Sequence, residues 1–514
     1  MLIFESLFKR FSIPFAVFIT GACVLVIEVV AVRILSPYFG NSIFTISSVL
    51  SVVLLALSLG YYAGGKLADR FPKESLFYGI ILLSGICVIV LHVAGIIFLS
   101  SFGYTLSVIN GPLISSAALF FAQSFLLGLL SPFAIKLQTM RSQTTGVGSV
   151  SGEIFFFSTL GSIAGSLSAG FFLIPNFGVD KIIVSTGLIL IILGLTGNLQ
   201  KAAWFKLSLI VCIFISSQPL LGTLSLAAQQ GTLIYKDSMY QKITIYEGIY
   251  GNASVRFLLQ DRNSSAAQFT APEHINELVY EYTKYYELYK IANPNIKNAL
   301  VIGGGAYSIP KALLQDSATV NVDVAEIDPM IFALAKEYFN IPDDPRLQNF
   351  AQDGRRFLYN SSKKYDMIFS DAYASLYSTP EHLTTMEFFT LAKEKLSDNG
   401  VFIANVVGSL AQKPQSFLLS EIKTFKNVFE NSYFFAVTSA ESQKIQNIIF
   451  VGYNNNDKLD LAGTDMKKHE NYIIRMLPEK FINTDSFDFS PYPLLTDNYA
   501  PVDYLISQEF RDLQ

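Results

Sequence analysis

Hydrophobic and polar positions divide this chain near residue 222. Before that point it runs in long uncharged stretches, at about 11–35, 42–65, 75–99, 111–138, 150–174, 179–199 and 203–222, each of bilayer-crossing length. The pattern predicts a multi-pass α-helical membrane domain of about seven spans over residues 1–222. Beyond it the periods shorten. Residues 234–259 alternate as short strands, with Gly248 and Gly251 in the turn between them, and 273–291 form a helical stretch thick with tyrosine. Residues 223–297 are therefore a small antiparallel β segment with a connecting helix. From 298 to 514, apolar runs at 299–302, 320–325, 347–352, 365–370 and 400–407 alternate with helical patterns at 329–339, 383–396 and 417–429. Two further strands, at 433–438 and 448–453, precede a polar tail. Such alternation predicts an α/β domain with a doubly wound, mostly parallel sheet.

Composition sharpens the division. Charged residues make up only 15% of the 514 positions and mean hydropathy is +0.40, so the first part suits lipid and the second water. A net charge of −4 without clustered Lys and Arg gives no reason to expect a nucleic-acid partner. Lys9 and Arg10 precede an apolar run with no small-residue cleavage site, which reads as a retained span. Basic residues then occupy alternate connections, at Lys66, Arg70 and Lys73, at Lys136 and Arg141, and at Lys201 and Lys206. This places the N-terminus in the cytoplasm. Seven spans would then put the second half outside, whereas a nucleotide-type ligand belongs in cytosol; the two expectations conflict. Glu28, Arg33 and Glu153 are costly in hydrocarbon and should face the bundle interior or the interface. Gly161 and Gly165 have the spacing that lets helices approach closely. Cys23, Cys87 and Cys212 fall inside apolar runs and read as buried thiols.

The candidate chemistry begins where 299–302 stops at Gly303, Gly304 and Gly305. Backbone there must turn tightly and approach a ligand with no side chain in the way. The next apolar run ends at Glu326, 23 residues after Gly303, the spacing at which a carboxylate meets both hydroxyls of a ribose. Two more strands end at Asp353-Gly354 and at Asp371. Ligands on such sheets sit beyond the carboxyl ends of the strands, so four strand ends converge on one place.

In order and spacing, VIGGG, VAEID, QDGRRFL and FSDAY resemble the spermidine synthase group of S-adenosylmethionine-type enzymes. KDSMYQKITIYE is similar to that group's β-segment entry, while ALSLGYYAGGKLADR, the 28–33 region and LTDNYAPVD resemble its membrane-fused relatives. GGKLADR also resembles a cytoplasmic loop of major-facilitator transporters. The resemblance implies a Rossmann-like catalytic domain with S-adenosylmethionine or its decarboxylated form as substrate and no metal. It implies that Glu326 binds ribose, Asp353 the adenine amino group, Gln241 the nucleoside side of the ligand, and that Asp371 stands at the reacting centre. Tyr307, Tyr373, Tyr377 and His382 lie in loops placed to cover the site.

Two positions depart from the family. Ala306 replaces the acid that meets the amine of the decarboxylated cosubstrate and would repel the carboxylate of the intact molecule. Asp371-Ala372-Tyr373-Ala374 lacks the second acid of D-x-x-D that would hold a diamine. The main expectation is therefore a membrane-embedded lyase that cleaves S-adenosylmethionine to methylthioadenosine by intramolecular lactone closure. Aminopropyl transfer from the decarboxylated cosubstrate to putrescine, methyl transfer, and a non-catalytic ligand-binding sensor or transporter stay open beside it. The expected setting is a bacterial inner membrane with the catalytic domain cytoplasmic, and a homo-oligomer is open.

Overall fold

The computed structural model describes residues 2–103, 105–142, 146–196, 231–261, 263–372, 379–455, 458–461 and 464–510. Two compact units emerge: Met1–Gln230 with Lys236–Gln241, and Gly231–Tyr235 with Lys242–Gln514.

Among the described residues, the first unit holds six helices long and apolar enough to cross a membrane. They are Phe11–Phe39, Ile43–Arg70, Glu74–Phe102, Gly111–Arg141, Val147–Asn176 and Val179–Thr196. The seventh expected span, 203–222, lies outside the described residues, and so does Cys212. Gly161 and Gly165 bring their helix so close to the first that an added Cβ would run into the carbonyls of Phe18 and Ala22, the close approach that small residues permit. Arg33 donates from its guanidinium to the carbonyl oxygens of Tyr240 and, at 3.0 Å, of Ser238. Its charge is thus met by backbone dipoles of the segment 236–241. Glu28 and Glu153 are partly exposed, and Cys23 and Cys87 are free thiols.

The second unit carries two sheets. Strands β1 (Thr232–Asp237), β2 (Lys242–Tyr250), β3 (Ala253–Gln260) and β4 (Asn263–Phe269) form an antiparallel sheet in sequence order. Gly251, at φ +60°, makes the β2–β3 turn; Gly248, expected there too, lies inside β2 opposite Val255. The tyrosine-rich stretch is less regular than its spacing predicts. It consists of 3-10 turns at Pro272–His274 and Glu281–Leu288 that run into a short α-helix, Tyr289–Ala292. Three-residue periodicity stacks side chains at i and i+3, and Tyr285 and Leu288 are both buried there.

The larger sheet comprises β5 (Asn298–Ile302), β6 (Asn321–Ala325), β7 (Leu347–Phe350), β8 (Tyr365–Ser370), β9 (Leu396–Gly408), β10 (Ser432–Ala436) and β11 (Gln446–Tyr453). Their order is β10-β11-β9-β8-β5-β6-β7, parallel from β9 to β7, with β10 and β11 antiparallel. Elements cover both faces, so the central strands read as continuous apolar runs and not as alternations. Ala299, Leu300, Val301 and Ile302 are all buried. The polar tail proves partly structural: helices Tyr472–Lys480 and Val502–Phe510 bury Ile473, Ile474 and Leu477, and Val502, Leu505 and Ile506.

Register is what positions the site. Ile302 pairs with Ala325 and with Ser370, and Ala325 pairs with Phe350. Four neighbouring strands therefore end level. The hydrogen bonding continues one residue further, from Gly303 N to Ala325 O (3.0 Å), Glu326 N to Phe350 O (3.1 Å) and Asp371 N to Ile302 O (2.9 Å).

Candidate active site

At the level ends of β8, β5, β6 and β7 stand, in spatial order, Asp371, the glycine turn, Glu326 and Asp353. With strands about 4.8 Å apart, the edge from Asp371 to Asp353 spans about 14 Å.

The turn is glycine by necessity at Gly303. Its φ of +90° disfavours any side chain, and an added Cβ would strike the Asp371 carbonyl. The turn hands the chain to helix Ser308–Asp316 through Tyr307, itself left-handed at φ +56°. Tyr307 is not a covering residue. It is fully buried against Phe332, and its hydroxyl donates to Asn349 Oδ1.

Glu326 is 5% exposed. Its Oε2 accepts from Gly304 N–H (2.7 Å) and its Oε1 from Asp328 N–H (2.9 Å). Burial pushes its proton affinity up, against the pull of these backbone donors. The Gly305 amide also acts on this carboxylate, whose two oxygens have about four acceptor sites between them.

Asp353 caps helix Gly354–Asn360, its Oδ1 accepting from Arg356 N–H at 2.9 Å, while Oδ2 lies 2.8 Å from His382 Nε2. Burial acts to raise its carboxyl, but His382 and the amide donors outweigh it and hold Asp353 below the usual range. Gly354 follows because any Cβ there would collide with Ile302. Beside Asp353 a groove of about 570 Å³ opens between this helix and Met386–Lys395, lined in part by Tyr359, Met386 and Leu391.

Asp371 differs. Asn405 Nδ2 donates to its Oδ1 at 2.9 Å, and the Tyr282 hydroxyl, which donates to the Ser265 carbonyl oxygen at 3.4 Å, also acts to lower its carboxyl. Burial nevertheless pushes its carboxyl above the ordinary aspartate range, more than these two groups lower it.

The sheet edge thus assembles Gly303, Gly304, Glu326, Asp353 with Gly354, and Asp371. Gly305, at φ +51°, completes the turn. Gln241 belongs to the segment 236–241 that packs with the helical unit, in a turn closed by Ser238 Oγ on the Gln241 carbonyl at 2.9 Å; a ligand role for it stays with the resemblance alone. Tyr373 and Tyr377 lie outside the described residues. Sequence reasoning missed Asn405, Asn447, Tyr282 and the Arg355–Asp497 pair. Asn405 was findable, as the lone polar residue in the run FIANVV. Arg355 and Asp497 meet through both guanidinium nitrogens, at 2.7 and 2.5 Å, which explains physically why LTDNYAPVD accompanies QDGRRFL.

The spermine/spermidine synthase domain family matches residues 285–460, the span that supplies the glycine turn and all three acids. Polyamine aminopropyltransferase 1 of Streptomyces coelicolor is 24% identical over 418 residues, covering 76% of this chain and 75% of the relative. That is more than residues 231–514 alone supply, so the likeness reaches into the helical half. The chain is spermidine synthase-like. Polyamine aminopropyltransferase of Vibrio vulnificus is 26% identical over 240 residues, 46% of this chain and 77% of the relative. Among solved structures, a probable spermidine synthase from Corynebacterium glutamicum covers 50% of this chain and 91% of its own at 19% identity, with a TM-score of 0.40. Among the described residues six apolar helices precede this spermidine synthase-like domain, and its likeness to aminopropyltransferases marks it as transferase-like.

Proposed function

We propose that the second unit binds an adenosyl sulfonium and transfers its aminopropyl-type group to an amine. Glu326 holds the ribose hydroxyls, Asp353 the adenine amino group, and the glycine turn passes beneath the sugar. The sulfonium then falls toward Asp371. The amine lone pair attacks the carbon bonded to sulfur, the C–S pair returns to sulfur as a neutral thioether, and the new ammonium passes its proton to Asp371. A carboxyl of raised proton affinity suits that last step. The carrying observation is the ordered row of Asp371, glycine turn, Glu326 and Asp353 on one level edge.

The named relatives favour transfer over the lactone-forming cleavage expected from Ala306 and the missing second acid. Ala306 is buried, 2% exposed, and it alone among the described residues keeps cleavage of intact S-adenosylmethionine as a second reading. Purified full-length protein should be incubated with decarboxylated S-adenosylmethionine and a panel of diamines and polyamines, and separately with S-adenosylmethionine alone. Mass spectrometry should find methylthioadenosine and an aminopropylated amine in the first case. Methylthioadenosine with a lactone in the second case selects cleavage, and unchanged ligand in both rejects either chemistry. The helical unit, on this reading, resides in a lipid bilayer.

A further inference from the structure

The reading of Asp371 as proton acceptor leaves open what holds its carboxylate in one orientation. We propose that Asn405, braced by Asn447, is a positioning residue for Asp371. The inference rests on that reading for its catalytic meaning, but its geometry is independent.

Asn405 lies on β9, next to β8, where Ala404 pairs with Ser370, so the strand register delivers its side chain beside Asp371. Its Nδ2 donates to Asp371 Oδ1 at 2.9 Å, and its Oδ1 accepts from Asn447 Nδ2 on β11 at 2.9 Å. The direction of this chain is fixed by chemistry. An ionised carboxylate only accepts, so Asn405 must present its NH2 to Asp371 and its oxygen to Asn447. Flipping the amide would break both bonds at once. Ile403 and Ile449, near Asn405 and Asn447 along the same strands, are fully buried. Two amides placed among such side chains cost desolvation unless each is satisfied. Here Asn447 bonds to Asn405 and Asn405 to the acid on which the chain ends.

Donors to the ionised form favour it. Replacing Asn405 by Leu leaves the acid holding its proton to higher pH. The acid limb of kcat/KM should move up by about one to two pH units, and Asn447→Leu should move it the same way by less. A merely structural role would lower activity at every pH without moving the limb. The second readout needs no turnover: the carboxyl band of Asp371, isolated by infrared difference between the protein and its Asp371→Asn variant, titrates directly. Its midpoint should rise in Asn405→Leu and, less, in Asn447→Leu, which also serves if the first variant folds poorly. Unmoved midpoints in folded variants overturn the proposal. Wild-type protein that transfers to no amine while the midpoints still move overturns the proton-acceptor reading and leaves the positioning intact.

Discussion

Asp353 and Asp371 stand at the two ends of one sheet edge, and their surroundings push their protons in opposite directions. At the β7 end, an imidazole and two helix amides outweigh burial and keep Asp353 ionised. At the β8 end, burial outweighs an amide and a phenol, so Asp371 holds a proton more readily. One edge thus supplies a permanent acceptor for a ligand's amino group and an acid able to exchange a proton. Pairs of titratable groups pushed apart by environment are how a single site divides binding from proton transfer.

Asp371→Asn breaks the comparison most severely. Turnover should fall by about 10²- to 10⁴-fold while nucleoside affinity stays within a few-fold, as steady-state kinetics and equilibrium binding would read. The same variant should be more stable than wild type at neutral pH. A carboxyl with raised folded-state affinity gives its full stability below its ordinary pKa and loses it as pH rises through the folded value. The advantage of Asn should therefore vanish below about pH 4; thermal melts across pH decide it.

Glu326→Ala comes next. It removes the proposed ribose contact and leaves the Gly304 and Asp328 amides unpaired, so binding should weaken by about 10- to 100-fold, the equivalent of roughly 1.4 to 2.7 kcal/mol. Asp353→Ala should cost about 1 kcal/mol of stability through its lost helix cap, together with a smaller loss of nucleoside affinity. Its pH sense is opposite to that of Asp371: stability is full above about pH 4 and lost as pH falls through the depressed value. Arg355→Ala should do least. It opens a bidentate but half-exposed pair with Asp497, worth about 1 kcal/mol or less and screened by salt, measurable as a change in melting temperature at low ionic strength only.

How far the sequence carries follows from which interactions are local. Strand ends, the glycine turn and Glu326 were legible because apolar runs and a fixed spacing encode them along the chain. Asp353 and Gly354 were legible as a strand end, but the cap and the contact with His382, 29 residues away, needed coordinates. The relay from Asp371 through Asn405 to Asn447 crosses three strands, and nothing in the spacing of 371, 405 and 447 announces it. Tyr307 misled because loop position says nothing about burial once a left-handed residue turns the side chain inward. The tail misled for a similar reason: Ile473, Leu477 and Leu505 are too sparse to stand out among polar neighbours, yet they face the sheet's cover.

The most direct test of the divided edge is equilibrium binding of methylthioadenosine, which needs neither turnover nor an amine. Affinity should drop in Glu326→Ala and Asp353→Ala and persist in Asp371→Asn. Equal affinity in all three, or a loss in Asp371→Asn as large as in Glu326→Ala, would contradict the account.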